Sequence, residues 1–309
     1  MADEPTKAVD AATGTPFKGH EWDGIRELDT PLPRWWLWTF YATILFAIGY
    51  TIAYPAWPMI DSATRGMLGW SSRGALASEL AARDAQLAPV HQAIAATTIE
   101  KLAGRPELMR VAVEGGRAAF KVHCVQCHGA GAAGSNGYPN LNDDDWLWGG
   151  DLATIEKTIT DGIRNPDHAH TRQSIMPAFG RDQLLTPQQV DDVVAHVRVI
   201  SHQDKPNDAA RRGAQLFADN CAVCHGAGGT GSRELGAPNL TDGIWLYGGD
   251  ADTIRQTVWN SRQGVMPRWN DKLDKATIRM LAAYVHSLGG GEALPAAAPA
   301  PADNAAAQP

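Results

Sequence analysis

Polar and apolar residues divide this chain into three regimes. From Trp35 to Ile60 there is no charged residue, and "WWLWTFYATILFAIGYTIAY" is an almost unbroken apolar run. That is enough for a membrane-crossing helix, which takes about 20 mostly apolar residues. Trp35, Trp36 and Trp38 crowd one end and Tyr50, Tyr54 and Trp57 the other, as expected of rings seated in two headgroup layers. Pro55 and Pro58 predict its end. A cleavable signal peptide would begin with a short basic stretch and a shorter apolar core, whereas here a mixed-charge polar segment, residues 1–33, comes first. A buried core helix would not explain aromatics at both ends. The pattern predicts a retained transmembrane helix over residues 34–57.

Residues 58–110 form the second regime. Within it, 66–105 is Ala-rich with few turn signals before Gly104, and reads as one or two connecting helices, with a flexible spacer as the alternative.

The third regime alternates short amphipathic helices with loops, twice. Leu152, Ile155, Ile159 and Ile163 share one helical face, as do Ala251, Ile254 and Val258. Asp151 and Asp250 stand as N-caps of these two helices. "TPQQVDDVVAHVRVI" starts with a Thr cap and Pro187, and "DKATIRMLAAYVHSL" sets Ile278, Leu281, Val285 and Leu288 at helical spacing. No convincing run of strands appears. Residues 291–309, rich in Ala and Pro, carry too little apolar bulk to pack and are expected to be disordered.

The two series are copies of each other. "GRAAFKVHCVQCHG" matches "GAQLFADNCAVCHG", and "YPNLNDDDWLWGGDLATI" matches "APNLTDGIWLYGGDADTI". Gly116 and Phe120 in one copy, Gly213 and Phe217 in the other, lie on the helical face of the first cysteine. A glycine there lets another helix cross closely, and the phenylalanine packs beside whatever the cysteine holds. The offset is 97 from Cys124 to Cys221, 99 from Asp151 to Asp250 and 90 from Met176 to Met266. Copy two is therefore longer in the loop after its motif, and copy one has extra residues near "NPDHAHTRQ". The expected domains are 111–203 and 206–290.

Charge changes the picture little. Twenty-seven basic and 34 acidic residues give a formal charge of −7, which argues against a nucleic-acid surface. The four cysteines decide more. All belong to two Cys-x-x-Cys-His segments, Cys124, Cys127, His128 and Cys221, Cys224, His225. A zinc ribbon brings its second cysteine pair back within about 20 residues, and a thioredoxin-like pair needs neither the histidine nor this context. For haem c the spacing has a cause: each cysteine makes a thioether to the porphyrin edge, and the adjoining histidine reaches the iron. Two covalently bound haems c are expected.

A haem with histidine on one face takes a second ligand for electron transfer or keeps an open face for chemistry. The only Met-Pro pairs, Met176-Pro177 and Met266-Pro267, follow the two motifs in equivalent places and are the candidate thioether ligands. His168 and His170, in the insertion of copy one, are the competitors for that position. Met280, His123, His196 and His286 read as packing residues on helices, His196 falling where copy two has Tyr284. The carbonyls of Pro139 and Pro238 are candidate acceptors for the second ring nitrogens of His128 and His225.

With these motifs in place, the chain resembles the membrane-anchored dihaem subunit of cbb3-type cytochrome c oxidases. The most specific stretch is "HEWDGIRELDTPLPRWWLWTFYATILFAIGYTIAYPAWP", residues 20–58. The resemblance runs from about residue 20 to 290 and implies an all-α chain: one N-terminal transmembrane helix followed by two tandem class I-like cytochrome c domains. It implies that Cys124, Cys127, His128 and Met176 hold one haem, and Cys221, Cys224, His225 and Met266 the other. Electrons would pass from a donor c-type cytochrome to a monohaem cytochrome subunit. From there they would reach the catalytic haem–copper subunit, which reduces oxygen and pumps protons, with no catalytic site in this chain itself. Covalent haem attachment in bacteria takes place outside the cytoplasmic membrane, so the haem domains are expected in the periplasm and the N-terminus in the cytoplasm, anchored in inner-membrane lipid. Lys18, Arg26 and Arg34 before the span, against Arg65 and Arg73 after it, lean the same way. The alternatives are a free-standing anchored dihaem carrier and a dihaem peroxidase with one iron left open.

Overall fold

The computed structural model describes residues 8–293. The chain divides into two compact units, Met1–Gln86 and Leu87–Pro309.

The first unit opens with two strands that the sequence pattern did not announce. Strand β1 (Phe17–Trp22) pairs antiparallel with β2 (Ile25–Leu28). The turn is Asp23-Gly24, both at positive φ (49° and 82°), the residue pair that type I′ hairpin turns favour. Helix α1 (Arg34–Ala53) follows, with no buried residue and a mean hydropathy of 1.4. It ends at Ala53 and not at residue 57, because Tyr54 leaves the helix extended (φ −116°, ψ 162°) ahead of Pro55, and the chain reverses between Pro58 and Ala63. The N–H groups of Met67 and Leu68 then donate to the carbonyls of Ile52 and Ala53 at 2.9 and 3.1 Å, satisfying acceptors that a helix end leaves open.

From Ser72 onward the connector is largely helical. Helix α2 (Ser72–Ala96) is followed by α3 (Ile99–Ala103).

The second unit holds α4 (Pro106–His123), α5 (Val125–His128), α6 (Leu152–Asp161), α7 (Pro187–Ile200), α8 (Asp208–Asn220), α9 (Ala222–His225), α10 (Ala251–Asn260) and α11 (Lys275–His286). The expected caps are in place: Asp151 accepts from the N–H of Ala153 and Thr154, Asp250 from that of Thr253, and Thr186 forms a capping box with Gln189.

Among the described residues there are two hydrophobic cores, and they do not follow the two copies. One joins α4 and α6 of the first copy to α11 of the second, with Phe120, Ile155 and Leu281 buried beside Ile94, Ile99 and Leu102. The other joins α7 of the first copy to α8 and α10 of the second through Val190, Val193, Phe217 and Ile254. The two crossings that need glycine show it most clearly. A Cβ on Gly116 would meet the Met280 carbonyl oxygen of α11, and one on Gly213 the Asp192 carbonyl oxygen of α7, each at 1.9 Å.

The cause lies in connection length. Residues 201–207, where the boundary between copies was expected, join α7 to α8 directly, and short links keep consecutive helices as antiparallel neighbours. Once α7 has taken α8, α4 is left for α11. Residues 294–309 of the expected disordered tail lie outside the described residues. Glu292 is fixed: its N–H donates to the Gly150 carbonyl (3.0 Å), its carboxylate accepts from the Gly150 N–H (2.7 Å), and it pairs with Arg233 (2.6 Å).

Candidate functional site

Each Cys-x-x-Cys-His segment is a single helical turn after a long helix. Cys124 ends α4 and starts α5, and the N–H groups of Cys127 and His128 both donate to its carbonyl, at 3.2 and 2.9 Å. Cys221 does the same between α8 and α9, at 3.1 and 2.9 Å to Cys224 and His225. The backbone angles agree between copies, φ −112° with ψ −27° at Cys124 and ψ −34° at Cys221. Gly129 and Gly226 then leave the turn at φ 78°, a conformation that costs glycine little.

Both histidines are held as the sequence suggested. The Nδ1–H of His128 donates to the Pro139 carbonyl (3.2 Å) and that of His225 to the Pro238 carbonyl (3.0 Å). A carbonyl only accepts, so this fixes the proton on Nδ1 and leaves Nε2 with a free lone pair. Burial lowers both imidazole pKa values, the carbonyl bonds opposing it, so both rings are neutral at physiological pH. Burial also pushes the Cys124 and Cys221 thiols up to about 11. A redox-active pair needs a depressed thiol pKa, so the buried setting of these two thiols weighs against that reading.

Two cavities open beside these turns. The first, about 770 Å³, is walled by Phe120, Cys124, His128, Trp146, Ile159 and Leu281. The second, about 1350 Å³ counted to its open mouth, is walled by Phe217, Cys221, Cys224, His225, Trp245 and Val258 among others. Largely apolar walls, a thiol at the edge and one imidazole lone pair fit haem c, with the phenylalanines lining the cavities as expected.

The methionines are exchanged. Met266, from the second copy, lines the cavity of His128, and Met176, from the first, lines the cavity of His225. The expected grouping of Met176 with His128 and of Met266 with His225 is thus corrected. The insertion in copy one explains the route. Residues 165–171 form a loop closed where the Arg164 N–H donates to the Arg172 carbonyl (2.8 Å) and the Arg172 N–H to the Gly162 carbonyl (3.3 Å), and the chain leaves it toward the second cavity.

Neither His168 nor His170 lines either of these two cavities. His168 sits between Asp161 (3.2 Å) and Arg268 (3.3 Å). His196 packs on Phe217 at 5.2 Å between ring centroids, as Tyr284 packs on Phe120 at 5.3 Å, and His123 lies edge-on to Trp269.

Sequence reasoning missed four wall residues that matter to the site. Leu147 lines both cavities, and next to it Trp148 lies against Gly236 so closely that a Cβ there would meet the indole at 2.2 Å. Arg164 and Arg262 line the second cavity. Aligning the copies would have flagged Arg262, which stands where the first copy has Ile163.

Helix-borne Cys-x-x-Cys-His turns facing methionine-lined cavities define a c-type cytochrome with two centres. Comparison with known proteins makes this specific. Residues 14–61 match the N-terminal domain of cytochrome oxidase-cbb3, FixP; residues 208–285 match cytochrome c oxidase, cbb3-type, subunit III; and residues 113–201 match cytochrome c. The chain is 53% identical to the cbb3-type cytochrome c oxidase subunit CcoP of Cereibacter sphaeroides, over 94% of this chain and all of that protein. It is 50% identical to subunit FixP of Sinorhizobium medicae over the same shares, and 51% identical to FixP of Azorhizobium caulinodans over 92% of this chain and 96% of that one. The chain belongs to the CcoP/FixP family of cbb3-type cytochrome c oxidase subunits. The cytochrome c matches follow the sequence copies, whereas the helices pack across them.

Proposed function

We propose that this chain is the dihaem electron relay of a cbb3-type terminal oxidase. One haem c is attached through Cys124 and Cys127 and held between His128 and Met266. The other is attached through Cys221 and Cys224 and held between His225 and Met176. The observation that carries this reading is that each cavity brings together one carbonyl-anchored imidazole and one methionine of a Met-Pro pair. Bound haem supplies a one-electron couple at its iron.

The chain's own residues do the rest. Pro139 and Pro238 fix the tautomer of the histidines, while Pro177 and Pro267 stiffen the loops that present the thioethers. Thioether ligation opposite the histidine at both centres raises the potential and leaves no position for substrate, which weighs against a peroxidase and against a catalytic site in this chain. Leu147, common to both cavity walls, and the Trp148–Gly236 contact keep the two centres adjacent.

The domain reading follows the packing: a class I-like unit from residues 174–262, nested inside a second one made of 106–163 and 264–292. Helix α1 anchors the chain in the bacterial inner membrane, beside the catalytic haem–copper subunit. The N-terminus is cytoplasmic and both haem units are periplasmic. Electrons arrive from a donor c-type cytochrome and leave toward the monohaem cytochrome subunit.

Mass spectrometry of the purified chain, with optical spectra of its reduced form with and without carbon monoxide, tests this. Two haem adducts and no carbon monoxide binding are expected. Fewer adducts, or a ligand-binding high-spin haem, would overturn it. Recovery after gentle detergent extraction without a haem–copper subunit would favour the free-standing carrier.

A further inference from the structure

The two cavities, alike in ligands, are opposed in charge. At two equivalent wall positions the residue types trade places: Asp145 in the first cavity corresponds to Ile244 in the second, and Ile163 in the first to Arg262 in the second. Arg164, although it belongs to the first copy, also turns into the second cavity. The second cavity therefore carries two guanidinium groups, and no Lys or Arg lines the first.

Both guanidinium groups are half-buried, and neither forms an ion pair with any described carboxylate. Arg164 donates from Nε to the Gly264 carbonyl (2.7 Å) and from Nη1 to the Ser174 carbonyl (3.3 Å). Arg262 donates from Nε and Nη2 to Thr257 Oγ1 (3.0 and 2.6 Å) and from Nη2 to the Thr253 carbonyl (2.6 Å), with its guanidinium 4.9 Å from the Tyr247 ring centroid. Those bonds leave Nη2 of Arg164 and Nη1 of Arg262 unspent. Arg164 holds this pose at φ 51°, a left-handed conformation that a non-glycine side chain seldom adopts unless its surroundings impose it. Burial pushes its pKa below the ordinary arginine value, which leaves the cation in want of an anion.

We propose that Arg164 and Arg262 hold the carboxylates of the haem attached at Cys221 and Cys224, and that this pair makes the second centre the higher-potential one of the two. The inference rests on the reading of the cavities as haem sites. Haem c carries two propionate carboxylates and no other anionic group, and a guanidinium fork matches a carboxylate in shape and charge. A cation beside the iron disfavours its oxidised, more positive state; Asp145 in the other cavity favours it. Each centre accepts one electron and passes on that same electron, so a gradient between them sets the direction of transfer, from the first centre to the second. Arg164, reaching across from the other copy, ties the potential of the second haem to the correct assembly of the first.

The test uses the full chain with its haems, comparing Arg164→Gln, Arg262→Gln, Arg164→Lys and Asp145→Asn with the parent. Three things are measured: haem adducts by mass, the methionine–iron charge-transfer band, and both potentials by optical redox titration. The second haem is identified as the one whose potential moves in Met176→His. Each glutamine variant should keep two haems and the band while lowering the second potential. One unit charge acting at about 10 Å through an effective dielectric of about 20 changes the reduction equilibrium on the order of tenfold, or roughly 59 mV for one electron. Arg164→Lys should recover most of that shift, and Asp145→Asn should raise the first potential alone. Unchanged potentials in the glutamine variants, or a parent whose second centre is the lower one, overturn the proposal. If a glutamine variant fails to mature, Arg164→Lys and Asp145→Asn still decide, since the gradient must narrow in the second of these. A parent chain with fewer than two haems would instead refute the reading of the cavities.

Discussion

Ile163 and Met266 exchange two backbone hydrogen bonds, Ile163 N–H to the Met266 carbonyl at 2.9 Å and Met266 N–H to the Ile163 carbonyl at 3.0 Å. This short antiparallel bridge lies just past the end of α6, so the methionine of the second copy is delivered to the histidine of the first. The reciprocal delivery is made at α10: Ser261 Oγ donates to the Met176 carbonyl, and the Phe179 N–H to the Val258 carbonyl at 3.1 Å. Each methionine loop is thus fastened to the end of the middle helix of the other copy.

Met266→His should therefore lower the potential of the haem bound at Cys124 and Cys127, not that of its neighbour in sequence, since a thioether ligand raises the potential. Replacing Cys124 and Cys127 together with alanine identifies the affected centre, as the haem that this variant lacks. A shift confined to the other haem would restore the contiguous grouping.

What the sequence made legible was local. Asp151, Asp250 and Thr186 cap helices because a cap is decided within three residues. Gly116 and Gly213 were readable as close crossings, because helical spacing gives the face a residue occupies. It does not give the partner. Since both copies offer equivalent terminal helices and equivalent Met-Pro loops, periodicity could not say that Gly116 meets Met280 and Gly213 meets Asp192. Only the lengths of 201–207 and of the 165–173 insertion separate the two arrangements. The hairpin was missed although Asp23-Gly24 is a strong turn pair, because its strands are exposed and lack a clear apolar alternation.

Gly116→Ala and Gly213→Ala should each break one core and spare the other. A Cβ 1.9 Å from a backbone carbonyl cannot be relieved by rotating a side chain, so the helices must separate, at a cost of about 3 kcal/mol or more. Denaturation of the holoprotein followed at each haem should show the first centre released early in Gly116→Ala and the second in Gly213→Ala. Loss of both together would mean that the cores do not melt independently.

Two carboxylates should give pH effects of opposite sign. Asp192 is buried and takes two hydrogen bonds from Arg212, at 2.8 and 2.6 Å; that pairing lowers its pKa. Its contribution is present above the unfolded carboxylate pKa of about 4 and is lost as pH falls through the lower folded value. Asp145 is pushed up to about 6, by burial first and then by Asp242, Asp143 and Asp144, with Arg233 opposing. Its contribution is present below about 4 and is lost as pH rises through about 6. Asp192→Asn should lower the melting temperature at pH 7, an effect that shrinks as pH falls below about 4. Asp145→Asn should raise it at pH 7 and do nothing near pH 3. Thermal melts across that range check both signs.

Arg279 joins three parts of the first core and should be among its least replaceable residues. It sits on α11 with its side chain buried, pairs with Glu156 of α6 at 3.0 Å, and donates to the carbonyls of Ile94 and Ala95 at 3.1 and 2.8 Å and to that of Thr97. Those carbonyls lie at the end of α2, where a helix has no partners of its own to offer them. One guanidinium thus satisfies a helix terminus and balances a mostly buried carboxylate. Arg279→Met keeps the volume and removes both functions, leaving Glu156 charged and the carbonyls open, a loss of about 3–5 kcal/mol. Glu156→Gln in the same chain should restore part of it, because the orphaned charge and not the missing volume is the larger penalty. If the double variant is no more stable than Arg279→Met in denaturant titration, the helix-end carbonyls and not the ion pair carry the effect.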